Sequence, residues 1–140
     1  MKTKKIYLSG AMGNLTLEEQ LSWRLDFINA IKTCDYTYSP IYFNPPTKYS
    51  PALKAHKTER EAFEYDLAEL RTSDLVVVNF VDPKSIGTAM ELILAKELHI
   101  PVIGLNIDNK ELHPWLELCC TRICDSWGEL IEHIVEFYLN

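Results

Sequence analysis

Short apolar runs alternate with capped amphipathic stretches along the whole chain, and this rhythm constrains the fold more than any other feature. Residues 5–9 form an apolar segment that stops at Gly10 and read as a first strand followed by a turn. Thr16 and Glu19 are spaced as a capping box. Leu17, Leu21, Leu25, Ile28 and Ile31 then recur at helical spacing and predict an amphipathic helix over 16–33. The β-branched and aromatic stretch 36–41 reads as a second strand, and Pro40 suggests an edge position or an early end. Residues 44–56 carry Pro45, Pro46 and Pro51 and are expected to be a long loop, a lid or a disordered stretch. A capping pair at Thr58 and Glu61 opens a helix whose apolar face is Phe63, Leu67 and Leu70. The run 75–80 is a third strand, and 86–98 is a helix apolar on nearly every side, hence expected to be largely buried. Residues 100–105 form strand four, and 106–118 are a loop or short helix. The stretch 121–124 is the weakest strand, and Ser126 with Glu129 caps a last helix marked by Leu130, Ile134 and Phe137. Strands alternating with helices imply a three-layer, flavodoxin- or Rossmann-like α/β fold. Its open, parallel, five-stranded sheet would carry right-handed crossovers and helices on both faces.

With 140 residues, 47% hydrophobic and 24% charged, the chain is expected to be one domain over 1–140 with a single core. A formal net charge of −6 without a basic stripe argues against a nucleic-acid polymer or a membrane surface as partner. The apolar run behind the basic opening Met1-Lys2-Thr3-Lys4-Lys5 is too short for a signal-peptide core, and none approaches the ~20 residues of a membrane span. Cys34, Cys119, Cys120 and Cys124 form no CxxC pair, so reduced, mostly buried thiols in a cytoplasmic protein are expected, with no structural zinc.

Three pieces converge on the carboxyl ends of the strands, where open α/β sheets bind small ligands. Gly10 and Gly13 bracket a turn; glycines there permit unusual dihedrals and close approach of a ligand, or simply serve a tight strand-to-helix turn. Asp66 sits at the edge of an apolar helix stripe, where an acid needs a partner or faces a ligand. Glu91 closes Ser85-Ile86-Gly87-Thr88-Ala89-Met90-Glu91, in the expected first turn of a helix behind a central strand. Thr88 and Glu91 are spaced as a capping box. In the alternative, the helix starts at Ser85 and Glu91 points into the cleft, where a helix amino terminus favours the ionised form a carboxylate nucleophile needs.

Taken together, Ile6-Tyr7-Leu8-Ser9-Gly10, Tyr65-Asp66-Leu67, Ser73-Asp74-Leu75-Val76-Val77-Val78 and Gly87-Thr88-Ala89-Met90-Glu91-Leu92 resemble the nucleoside 2-deoxyribosyltransferase superfamily, which includes the 2-deoxynucleoside 5′-monophosphate N-hydrolases. Ala95, Pro101-Val102-Ile103 and Asp125-Ser126-Trp127 continue the resemblance over nearly the whole chain. It implies that Glu91 is the nucleophile on the anomeric carbon, that Asp66 places the substrate and handles base protonation, and that Tyr7 orients the nucleophile. Ser9, Gly10, Ala11, Met12, Ser85, Gly87 and Thr88 would contact substrate, with no metal or organic cofactor. Ser85 stands where transferases of the family commonly carry Asp and the nucleotide hydrolases carry Ser. The loop Ala11-Met12-Gly13 lacks the hydrolases' Ser and Arg, so a phosphate would lose its strongest charge partner.

Three functions follow as expectations: a deoxyribosyltransferase moving a sugar between bases, an N-glycosidase hydrolysing nucleoside 5′-monophosphates, and a nucleotide-binding or sensor protein without turnover. Small-molecule nucleoside or nucleotide and free nucleobase are the expected partners. The resemblance further implies a homodimer or larger homo-oligomer; Trp115, Trp127, Phe137 and Tyr138 are candidates for that contact, although local packing of the last two helices is the expected role of each taken singly.

Overall fold

The computed structural model describes residues 2–13, 15–48 and 58–140. Five strands, β1 (Thr3–Gly10), β2 (Ser39–Phe43), β3 (Leu75–Asn79), β4 (Val102–Leu105) and β5 (Arg122–Cys124), form one sheet in the order β2-β1-β3-β4-β5. Every pairing is parallel. The helices are α1 (Leu17–Lys32), α2 (Glu59–Arg71), α3 (Ile86–Glu97), α4 (Pro114–Cys119) and α5 (Trp127–Tyr138). This is the α/β architecture expected from the alternation. Part of the predicted 44–56 loop is a 3-10 turn, Pro45–Lys48; positions 49–56 lie outside the described residues.

Alternation along the buried strands sorts side chains into two cores. Ile6, Leu8, Leu75, Val77, Ile103 and Leu105 pack with Phe27 and Ile31 of α1 and with Leu130 and Ile134 of α5. Tyr7, Val76, Val78 and Val102 pack on the other face with Leu70 of α2, Leu92 and Ala95 of α3, and Leu116 of α4. The chain order reverses between β1 and β3, so the crevice beyond Gly10 and its register partner Asn79 is the topological switch point.

Several local expectations change. β2 begins at Ser39 rather than 36 and contains Pro40, which an edge strand tolerates because one row of its N–H groups faces no partner. The buried stripe of α1 is Trp23, Arg24, Phe27 and Ile31, while Leu17 and Leu25 are exposed. Phe63 and Phe137 are exposed as well. Helix α3 buries Thr88, Leu92 and Ala95, whereas Ile86, Met90 and Ile93 face outward. Its apolar character therefore serves two surfaces, and only one of them is the sheet.

Candidate active site

The site is built from the last residues of β1 and the second turn of α3. Ser85 is the N-cap of α3, its hydroxyl accepting from the Thr88 N–H at 3.4 Å and from the Thr88 hydroxyl at 3.1 Å. Thr88 is thus inside the helix and buried, not its cap, and no Thr88–Glu91 capping box forms. Glu91 follows six residues after the cap, one turn further than expected. Helix-dipole effects fade within the first turn, so the amino terminus contributes little to its ionisation.

From that position Glu91 reaches back to β1. The Tyr7 hydroxyl donates to its Oε2 and the Ser9 hydroxyl donates to its Oε1, the latter at 3.1 Å. One donor per oxygen fixes the carboxyl plane. Tyr7 and Ser9 are two residues apart on a strand, so both point to the α3 face. Burial pushes the Glu91 pKa up to about 7; the hydrogen bonds from Tyr7 and Ser9 pull it down, Asp66 raises it and Arg24 lowers it. The helix terminus was expected to favour the ionised form; here desolvation outweighs every local stabiliser of the charge. A displacement of that size corresponds to roughly 3 kcal/mol against the ionised form.

The carboxyl opens on a cavity of about 130 Å³ lined by Gly10, Met12, Arg24, Pro45, Phe63, Asp66, Leu67, Gly87, Met90 and Glu91. Of the residues singled out in the sequence, Glu91, Asp66, Gly10, Met12 and Gly87 meet at this wall, with Tyr7 and Ser9 holding the carboxyl from behind. Ala11 and Thr88 are buried away from it, and Ser85 lines a different groove on the outer side of α3. None of the described glycines takes a positive φ, so neither Gly10 nor Gly13 supplies an unusual dihedral. Gly10 matters for close approach instead. A Cβ there would lie 3.2 Å from Trp23 and 3.3 Å from the Asn79 carbonyl oxygen.

Arg24 is the site residue the sequence reading missed. It is 1% exposed, and its guanidinium donates to the carbonyl oxygens of Leu8, Gly10 and Gln20. Burial lowers its pKa to about 10, so it stays charged at neutral pH. A signal existed: Arg24 falls in line with Phe27 and Ile31 on one helix face, where an unexplained cation is unusual. Among the described residues no group of three or more His, Cys, Asp or Glu converges as a metal site. Among them, too, no helix is long and apolar enough to cross a membrane.

Solved structures share the fold. A conserved protein from Enterococcus faecalis aligns with a TM-score of 0.74 at 20% identity, over 94% of this chain and 97% of that one. A 2-deoxyribosyltransferase from Bacillus psychrosaccharolyticus aligns at 0.70 and 17% identity, over 91% and 90%. A CMP N-glycosidase from Clostridium botulinum aligns at 0.57 and 16% identity, over 94% and 98%. No curated protein sequence matches the chain. The family model for nucleoside 2-deoxyribosyltransferases matches residues 6–136, a span that takes in both β1 and the Glu91 turn. The chain belongs to the nucleoside 2-deoxyribosyltransferase family.

Proposed function

We propose that this protein cleaves the N-glycosidic bond of (deoxy)nucleosides through a covalent glycosyl-Glu91 intermediate and passes the sugar to another nucleobase. The observation that carries this reading is the Glu91 carboxyl, held by two hydroxyl donors at the wall of a cavity at the switch point. With a pKa near 7, a good share of Glu91 is ionised at neutral pH, and the form that attacks is available.

In the first step a Glu91 oxygen bonds to C1′ of the sugar while the C1′–N bond breaks. The electron pair leaves with the base, and Asp66, on the same cavity wall, handles the base's protonation. In the second step a nitrogen of another base attacks C1′ from the opposite face and returns the carboxylate, with net retention. Water in place of the second base would give hydrolysis. The N-glycosidase alternative on 5′-monophosphates leans on Ser85, but its hydroxyl caps α3 and does not line this cavity. The transfer reading therefore stands first.

A second copy of this chain is the expected partner. Ile86, Met90, Ile93, Trp115 and Leu118 leave an apolar groove between α3 and α4, and these five side chains are 46–77% exposed. Met90 lines both this groove and the Glu91 cavity, so a copy seated there would also wall the site.

The test is mass spectrometry of the intact protein after brief exposure to a slow fluorinated deoxynucleoside, followed by incubation of a deoxynucleoside with a different free base. A sugar adduct mapped to Glu91 and a new nucleoside are expected. Free sugar alone would select the hydrolase, and no base release with retained binding would select a sensor.

A further inference from the structure

We propose that Arg24 is a positioning residue of the Glu91 site: its guanidinium clamps the end of β1 and keeps a fixed positive charge at the cavity wall. This rests on the reading of Glu91 as the nucleophile. Arg24 is among the largest fully buried side chains of the described residues. Burying a cation is costly unless its donors are used, and an apolar side chain of similar volume would often be at least as stable there.

The donors are used on backbone, not on a carboxylate. Nε reaches the Leu8 carbonyl oxygen and Nη2 that of Gly10, both at 3.3 Å, while Nη1 reaches that of Gln20. Among the described residues no acidic side chain lies within ion-pair distance of it. The two strand carbonyls bracket Ser9, whose hydroxyl holds Glu91, and Tyr7 precedes them by one residue. The fork therefore sets where both donors to the nucleophile stand. Trp23 covers the guanidinium at 4.7 Å from its ring centroid. A Cβ at Gly10 would crowd Trp23, the ring over the guanidinium, at 3.2 Å, while meeting Nη2 itself at an ordinary 3.5 Å.

The groups that face Glu91 are Tyr7 and Ser9 from β1, Asp66 from α2 and Arg24 from α1. Asp66 opposes ionisation of Glu91, and among the described residues Arg24 is the cation that favours it. Removing it should raise the pH at which Glu91 ionises.

The experiment compares wild type, Arg24→Gln and Arg24→Lys, with Glu91→Gln to identify the Glu91 signal. The Glu91 carboxyl is titrated by carbon NMR on side-chain-labelled protein, which requires no substrate. The pH profile of base release is then measured. In Arg24→Gln the midpoint should move upward and the acid limb should lose about tenfold in rate. A merely structural role would lower Tm and leave the midpoint where it was. Arg24→Lys keeps the charge and loses the fork, so kcat should fall about tenfold with KM nearly unchanged and the midpoint closer to wild type. An unmoved midpoint in folded Arg24→Gln overturns the proposal; if that variant does not fold, wild-type kcat in Arg24→Lys overturns it. Wild-type protein that never releases a base would sink the nucleophile reading alone, because the titration still decides what Arg24 does.

Discussion

Helix α3 separates two concavities that differ in size and in kind. On its inner side lies the Glu91 cavity of about 130 Å³, with Asp66 and Arg24 on the same wall. On its outer side lies a groove of about 840 Å³, lined mainly by Ile86, Ala89, Met90, Ile93, Trp115, Leu116 and Leu118, with Lys84, Lys96 and His113 around them. Among the described residues the larger space is lined by no acid. The smaller one concentrates a desolvated carboxyl, two hydroxyl donors and a buried cation. Volume measures what fits, whereas chemistry needs charges held where water cannot screen them. The groove has the composition of a contact face, and the cavity that of a reactive site.

The sharpest way to break this contrast is Glu91→Gln. Base release should fall by about a thousandfold or more, measured by chromatography of the freed base. The same variant should be more stable at high pH. The folded carboxyl keeps its proton up to about pH 7, well above the ordinary value of 4.5. Between those values the unfolded chain binds fewer protons, so wild-type stability falls as pH rises through the window, and the cost remains above it. Thermal melts should therefore show Glu91→Gln ahead of wild type at pH 8, with the gap closing toward pH 4.5.

Tyr7→Phe comes next. It removes a donor to the charged form, an interaction worth about 1.5–3 kcal/mol. Base release should drop roughly tenfold to a hundredfold, and the acid limb of the pH–rate profile should move upward. An unchanged profile would mean that the Tyr7 contact does not set the nucleophile.

On the outer face, where a second copy is proposed to seat, Trp115→Glu combined with Leu118→Lys should sediment as a monomer in analytical ultracentrifugation beside a larger wild-type species, with little change in Tm. Base release should fall several-fold with it, because the partner no longer walls the cavity. Full activity in the monomer would separate the two concavities altogether. The smallest effect belongs to Ser85→Ala, which removes the cap that starts α3 and costs about 1 kcal/mol. Melting should shift by a few degrees, with base release from nucleosides nearly unchanged.

Much of the fold was legible from local rules. Thr16, Thr58 and Ser126 cap α1, α2 and α5 as their spacing to Glu19, Glu61 and Glu129 predicts, because a cap is settled within one turn. The same rule misled at Thr88, where the equally well-spaced Glu91 found better donors across the sheet. The depth of α3 was misread because apolar composition alone does not say which face of a helix meets the core and which stays exposed. Of the proposed substrate contacts, Gly10, Met12 and Gly87 line the cavity, while Ala11, Ser85 and Thr88 turn elsewhere, a difference of one or two positions that only the backbone path decides.

By itself the sequence determined the alternation of strands and helices, the capped helix starts and the residue types that can react, since each depends on neighbours a few positions apart. The tertiary structure decided that Glu91 meets Tyr7 and Ser9 across 84 and 82 positions of chain, that burial moves its pKa to about 7, and that Arg24 belongs to the same cavity. Those outcomes depend on desolvation and on which faces pack together, and neither is encoded in any short stretch of sequence.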